Sequence, residues 1–329
     1  MTRENQPFNF ALIGAAGYIA PRHMKAIKET GNDLLAALDP YDGVGIMDSF
    51  FPDADFFIEP ERFDRHLDKL RRLAHSETGK AGRKVDYVSI CSPNYMHDAH
   101  IRLALRNDAH AICEKPIVLN PWNVEALQTI EKESGKKVYT ILQLRHHPAI
   151  LDLKEKIRKG ADNRIHDIDL TYITSRGKWY HRSWKGNTEK SGGIGTNIGV
   201  HFFDMLSWIF GDVKESHVHL LTESRAAGLL ELSRAKVRWF LSLNNEDIPE
   251  PVRKTGKSTF RSLSIDNEEF EFSDGFTDLH TISYAEILDG KGYGLGDAAS
   301  SIGIVYHIRN SRPLGLKGNY HPLLKQVTT

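Results

Sequence analysis

Long apolar runs are absent from this chain. None reaches the roughly 18 residues a spanning helix needs, so no membrane segment is expected. Cysteine is nearly absent too. Cys91 and Cys113 are the only two, too few for a disulfide framework, and both lie in apolar runs. That fits reduced thiols in a cytoplasmic protein. An excess of charge of one sign is also missing. Lys plus Arg number 43 and Asp plus Glu number 43, so nucleic acid is not an expected partner. The opening MTRENQPFNF is polar and has no signal-peptide core. Neither repeats nor low-complexity segments occur. What is present is 329 residues, 40% hydrophobic and 26% charged, enough for two soluble globular domains.

The first half alternates strand and helix patterns. FNFALI reads as a buried strand, followed by a glycine-containing turn and a helix. DLLAALDP, VDYVSICSPN, HAICEKP and KVYTILQLR read as further strands. ERFDRHLDKLRRLAHS, YMHDAHIRLALRND and NPWNVEALQTIEKESG read as helices, and 77–84 as a polar loop. This order predicts a parallel sheet covered on both faces. After about residue 160 strands follow one another: HDIDLTYITSR, ESHVHLL, AKVRWFLSL, RSLSIDN and EEFEFS. Several alternate polar and apolar residues, as a sheet with one wet face would. SGGIGTNIGVHFFDMLSWIFG reads as a glycine-rich turn feeding a buried helix, and helices return at 277–290 and 297–309. The expected domains are 1–150 and 151–329.

GAAGYIAPRH places Gly14, Gly17, Tyr18 and Ile19 at a strand-to-helix turn, where a helix N-terminus can meet a pyrophosphate. The full G-x-G-x-x-G pattern is not met, and a tight structural turn is the plain alternative. Asp39 ends the second strand, 25 residues after Gly14, near the spacing of an acid that binds a ribose diol. A carboxylate there repels a 2′-phosphate, which favours NAD over NADP. A turn cap is the alternative reading of Asp39. Ser92, Asn94 and His97 follow the third strand and should line the same crevice, although Asn94 also suits a helix cap.

Glu114 and Lys115 of CEKP should emerge at that same edge. A lysine there, with a carboxylate beside it, is a credible proton handler. NIGVHFFD spaces Asn197, His201 and Asp204 for one helix face among apolar neighbours. Such a triplet is either a satisfied core network or a face that meets a substrate hydroxyl. One imidazole and one carboxylate make an incomplete zinc site, so no catalytic metal is expected. The stretch 174–186 gathers Arg176, Lys178, His181, Arg182 and Lys185 with Trp179, Tyr180 and Trp184. Its aromatics can stack on a base or sugar and its cations can pair with a diphosphate or a carboxylate; a solvated basic loop or a subunit contact is the alternative. Arg145 is a further candidate anion clamp.

GAAGYIAPRH, Asp39, SPNYMH, CEKP and GGIGTNIGVHFFD together resemble the glucose–fructose oxidoreductase, inositol dehydrogenase and MocA family. The resemblance implies an N-terminal Rossmann domain with a parallel sheet and a C-terminal α+β domain with a large, open, mostly antiparallel sheet. It implies that Lys115 and His201 bracket the sugar carbon that exchanges hydride. The common family pattern has Asp where Asn197 stands, which suggests a subgroup whose Asn197 hydrogen-bonds a sugar hydroxyl. Longer stretches, among them AICEKPIVLNPWNVEAL, TILQLRHHPAI and WYHRSWKG, look like the bacterial UDP-N-acetylglucosaminuronate 3-dehydrogenases of lipopolysaccharide O-antigen synthesis. That likeness implies NAD, a UDP-linked N-acetylated uronic acid bound by Lys115, Arg145, Arg176, Tyr180, Trp184, Asn197 and His201, recycling by 2-oxoglutarate in some members, and a homo-oligomer, commonly a tetramer. His201 is preferred as base over Lys115, whose pKa would first have to fall. Another sugar or inositol as substrate, or a non-catalytic NAD-binding homologue, remains the alternative.

Overall fold

The computed structural model describes residues 6–42, 44–75, 83–160, 164–272 and 278–328. Most of the loop expected at 77–84, up to residue 82, lies outside the described residues. So do Ser273 and Thr277, the ends of an expected strand and an expected helix.

The chain forms two compact units. The first contains Met1–Val118, Trp122–Gln143 and Asp278–Asp297. Its sheet joins β1 (Asn9–Ile13), β2 (Asp33–Leu38), β3 (Asp55–Phe57), β4 (Tyr87–Ile90), β5 (His110–Cys113) and β6 (Val138–Thr140) in the order β3-β2-β1-β4-β5-β6. Every pairing is parallel. All four residues of β4 are buried, as are four of the five in β1, which is why both read as unbroken apolar runs. The order reverses between β1 and β4, where the carboxyl ends of the strands open a crevice.

The helix Ala20–Glu29 starts with a proline in its first turn and buries Ala20, His23, Met24, Ala26 and Ile27. Against it packs the helix Leu279–Leu288, whose Leu279, His280, Ser283, Tyr284 and Ile287 are buried. Tyr284 stacks on Phe10 of β1 at 5.9 Å, and Phe10 on Tyr87 of β4 at 5.1 Å. Full burial of a side chain such as Phe10 contributes roughly 1.5–3 kcal/mol. β3 escapes the sequence reading: it is three residues long, at the sheet edge, and only partly buried.

The second unit contains Leu119–Pro121, Leu144–Thr277 and Ala298–Thr329. Its sheet joins β7 (His166–Thr174), β8 (Val213–Leu221), β9 (Arg225–Leu232), β10 (Ala235–Ser242), β11 (Thr259–Ile265) and β12 (Glu268–Glu269) in the order β12-β11-β7-β10-β9-β8. Only β7 and β10 run parallel; the other pairs are antiparallel. The helices Pro148–Lys159 and Val200–Phe210 pack together in this unit. Phe203 meets the fully buried Trp239 edge-on at 5.3 Å.

Two expectations change here. KVYTILQLR is a strand only over Val138–Thr140, and Gln143–His146 forms a 3₁₀ turn instead. EEFEFS shortens to the two residues of β12. β9 was hidden because RAAGLLEL is small and does not alternate. Gly228 is small for a reason: a Cβ there would stand 2.4 Å from the Trp239 ring. Among the described residues no helix is long and apolar enough to cross a membrane.

Candidate active site

In the first unit, Gly14 ends β1 with φ +90° and donates its N–H to the Leu38 carbonyl at 2.8 Å. A Cβ at Gly14 would lie 2.7 Å from the Cys91 carbonyl carbon, so only glycine lets the turn pass the end of β4. Gly17 closes the turn by donating to the Gly14 carbonyl at 3.0 Å. Tyr18 is 86% exposed and Ile19 caps the following helix half-buried. That helix has neither a side-chain cap nor an acidic residue in its first turn. Its positive end therefore carries no side-chain anion of its own first turn, which leaves the dipole to favour a bound one; the Ala20 and Arg22 N–H groups donate to the Gly17 and Ile19 carbonyls at 3.1 and 3.0 Å.

Asp39, one residue past β2, is buried. Its Oδ2 accepts from the Ala16 N–H and its Oδ1 from the Tyr41 N–H, both at 2.9 Å. It thus braces the turn, as the capping alternative had it. A carboxylate has about four acceptor sites, so two remain for a diol. These features fit a dinucleotide: a helix start with no acidic residue in its first turn, glycines where the backbone must be bare, and an oriented acid at the next strand end.

Ser92, Asn94 and His97 follow β4 and are all buried. Ser92 Oγ lies 2.8 Å from His100 Nδ1. The His97 ring lies between two backbone carbonyls, Nδ1 2.7 Å from the Pro116 oxygen and Nε2 2.8 Å from the Ser92 oxygen; burial lowers its pKa, so the neutral ring donates to one of them. His97 thus ties the end of β4 to the turn after β5. Glu114 is also buried. Its Oε1 faces His23 Nε2 at 3.0 Å and His280 Nε2 at 2.9 Å, and its Oε2 accepts from the Lys115 N–H at 3.2 Å. Burial alone would push the Glu114 carboxyl up, but the two histidine contacts outweigh it and hold it well below the carboxylate range. Glu114 and His97, expected to line the cofactor crevice, thus have their polar atoms engaged inside the unit. Lys115 is half-buried, and the Lys115–Pro116 peptide is cis.

In the second unit, Asn197 Nδ2 donates to Tyr180 Oη at 2.5 Å. Burial pushes the Tyr180 phenol up, so it stays protonated, accepts from Asn197 and keeps its own proton to donate. Trp184 is half-buried and Arg176 exposed. The Lys185 ammonium lies 5.4 Å from the Trp179 ring centre and 5.7 Å from that of Trp184. Burial, and then Arg176, pull the Lys185 pKa down. A cavity of about 210 Å³ is lined by Tyr180, Lys185, Gly193, Glu223 and Arg309 among others. His201 is half-buried.

Arg145, expected as an anion clamp, is 4% exposed and forms a two-pronged ion pair with Asp204, at 2.7 and 3.0 Å. Its charge is already matched by an internal carboxylate. The polar face expected of Asn197, His201 and Asp204 divides accordingly: Asn197 turns to Tyr180 and Asp204 to Arg145. Segment 195–199 is a wide π-type turn, which shifts the spacing assumed for a regular helix.

Nothing in the sequence marks His23 or His280 as partners of Glu114, or Tyr284 as a partner of His23. His23 looks like one more residue of a helix face, and His280 lies 166 positions from the carboxylate it meets.

Residues 8–142 match an oxidoreductase family with an NAD-binding Rossmann fold, and residues 154–241 match the C-terminal α/β domain of the same family. The WlbA (WbpB) dehydrogenase from Thermus thermophilus is 50% identical, with a TM-score of 0.90 covering 96% of this chain and 99% of that one. It has been solved with NAD and α-ketoglutarate, and with NAD and UDP-GlcNAcA. The WlbA dehydrogenase from Bordetella pertussis shares the fold at 18% identity and a TM-score of 0.74. Among curated relatives, the putative oxidoreductase YteT of Bacillus subtilis is 28% identical over 48% of this chain. D-glucoside 3-dehydrogenase of Escherichia coli is 28% identical over 41%. The matched stretch spans 39% of the length of each of these two proteins. By the match of both domains, in order, the chain belongs to the glucose–fructose oxidoreductase, inositol dehydrogenase and MocA family of oxidoreductases.

Proposed function

We propose that this protein oxidises the C3 hydroxyl of UDP-N-acetyl-D-glucosaminuronic acid to the 3-keto sugar, using NAD. The observation that carries the reading is the 50% identity, along nearly the whole of both chains, to a dehydrogenase solved with NAD and UDP-GlcNAcA. The first unit supports it with the Gly14–Gly17 turn, the uncapped helix start and the oriented Asp39. NAD supplies the hydride acceptor. Lys115 and His201 handle the hydroxyl proton: His201 takes it, and Lys115 holds the oxygen. Tyr180, oriented by Asn197, donates to the sugar, while Arg176, Lys185 and Trp184 meet its charged or aromatic parts.

The relative bound to α-ketoglutarate supports recycling, in which 2-oxoglutarate re-oxidises the reduced cofactor. The reaction then serves diacetamido uronic acid synthesis for lipopolysaccharide, in the cytoplasm, with the enzyme as a homotetramer.

The test is turnover with a panel of UDP-sugars, their uronates and free sugars, with and without 2-oxoglutarate. Ketone formation from UDP-N-acetylglucosaminuronate, amplified by 2-oxoglutarate, is expected. Lys115→Met should lower kcat/KM by about 10²–10⁴-fold while NAD still binds. Activity confined to free sugars or inositol, or NAD binding with silence across the panel, defeats the reading.

A further inference from the structure

The turn that carries Lys115 is held by groups from three distant parts of the first unit. Glu114, immediately before Lys115, is an anion and can only accept hydrogen bonds. His23 and His280 must therefore each carry a proton on Nε2 and donate it to Oε1, at 3.0 and 2.9 Å. Burial pulls the His23 pKa down, which keeps that ring neutral and its Nδ1 an acceptor. Tyr284 Oη, 2.8 Å away, donates to Nδ1. The phenol oxygen then accepts from Ser89 Oγ at 2.6 Å. With His23 neutral, the bonds run in one direction from Ser89 through Tyr284 and His23 to the carboxylate that also accepts from the Lys115 N–H. On the far side of Lys115, His97 contacts the Pro116 carbonyl at 2.7 Å.

The stretches that carry the family likeness, 8–142 and 154–241, include neither His280 nor Tyr284. Both sit on the helix Leu279–Leu288, which returns to the first unit from beyond the second. His23 Nε2, His280 Nε2 and a Glu114 oxygen all lie within 4.8 Å of one another, close enough for a metal ion. A metal would need both Nε2 atoms stripped of the protons that now reach Oε1.

We propose that His23 and His280 are positioning residues of the reaction: by fixing the Glu114 carboxylate they set where the Lys115 amine stands. This rests on the reading of Lys115 as a reacting group. Both histidines are buried, and the Nε2 atom of each is turned to Glu114. Their effect passes through the Lys115 main chain, whose N–H is tied to the carboxylate they hold.

The experiment separates this claim from the identity of the substrate. In full-length, unliganded protein, lysines are ¹³C-dimethylated and the Lys115 signal is assigned by its loss in Lys115→Met. Wild type should give one sharp resonance. His280→Leu should shift or broaden it, and His280→Gln, whose amide N–H lies near the lost Nε2–H, should restore it. His23→Leu and His23→Gln form a second pair should either position 280 variant fail to fold. With UDP-N-acetylglucosaminuronate, the Leu variants should lose about 10–100-fold in kcat, as misplacement of a reacting group does. The KM for the sugar and the Kd for NAD should stay within about twofold. An unchanged Lys115 resonance in both Leu variants overturns the proposal. So does a stoichiometric transition metal in purified wild type that the His23 variants lose. If wild type is silent on the sugar but the resonance responds as stated, the substrate reading fails and the positioning stands.

Discussion

At the scale of residues, charge proved the hardest property to read. Arg145 in QLRHHP has the same look as a ligand-binding arginine, because nothing near it names Asp204, 59 positions away, as its partner. The pair is 4% and 3% exposed at the side chains. Removing one partner of a buried ion pair typically costs about 3–5 kcal/mol. Arg145→Met should therefore lower the unfolding midpoint in urea sharply. If it instead left stability intact and raised only the KM for the sugar nucleotide, the clamp role would be restored. Tyr180 and Asn197 were legible as polar candidates, but the bond between them was not. Asp39 was legible in both of its readings, and its two backbone bonds show that brace and ribose acceptor need not exclude each other.

Among elements, those buried on both faces or strongly periodic could be read directly. β1, β4 and β5 are short apolar runs bounded by turn residues, and the charged helix Pro60–Ala74 buries Phe63 and Leu67 along one face. Short or non-alternating elements could not: β3 has three residues, and β9 breaks its pattern at Gly228, where a Cβ would meet the Trp239 ring. The β1 turn makes the sharpest forecast. Gly14→Ala would place a methyl 2.7 Å from the Cys91 carbonyl carbon at φ +90°. The left-handed backbone costs roughly 1–2 kcal/mol, and overpacking roughly 1–3 kcal/mol more. Thermal unfolding should begin several degrees lower. The rise in melting temperature that NAD gives wild type should largely vanish, because the turn must move away from β4. An alanine variant stabilised by NAD as fully as wild type would contradict the role given to this turn.

Across the whole molecule, each unit carries its own acid sensitivity. His100 in the first unit and His321 in the second are both lowered by burial to about 4, from 6.5. Each ring faces a hydroxyl, Ser92 at 2.8 Å and Thr171 at 3.0 Å. As pH falls from 6.5 towards 4, the unfolded chain takes up protons that the folded rings refuse. Stability present above pH 6.5 is then lost through that window, by up to about 3 kcal/mol per ring. Urea unfolding at a series of pH values should show this slope, and His100→Gln should flatten it. An equal slope in that variant would assign the acid sensitivity to other groups. The alternation of strands and helices revealed the parallel sheet, and the later run of strands the second sheet. The return of 278–297 to the first unit stayed hidden, because a helix pattern carries no mark of which distant face it covers.

That return has a consequence for synthesis. When β6 has left the ribosome, the helix that covers Phe10 and supplies His280 to Glu114 has not been made; residues 144–277 come first. At 5–20 residues per second this delay is roughly 7–27 s. Over that interval the nascent first sheet holds a carboxylate lacking one of its donors beside an uncovered aromatic face. That face is therefore open to wrong contacts until the helix arrives, and the turn around Lys115 gains its second histidine only after residue 280 has been made.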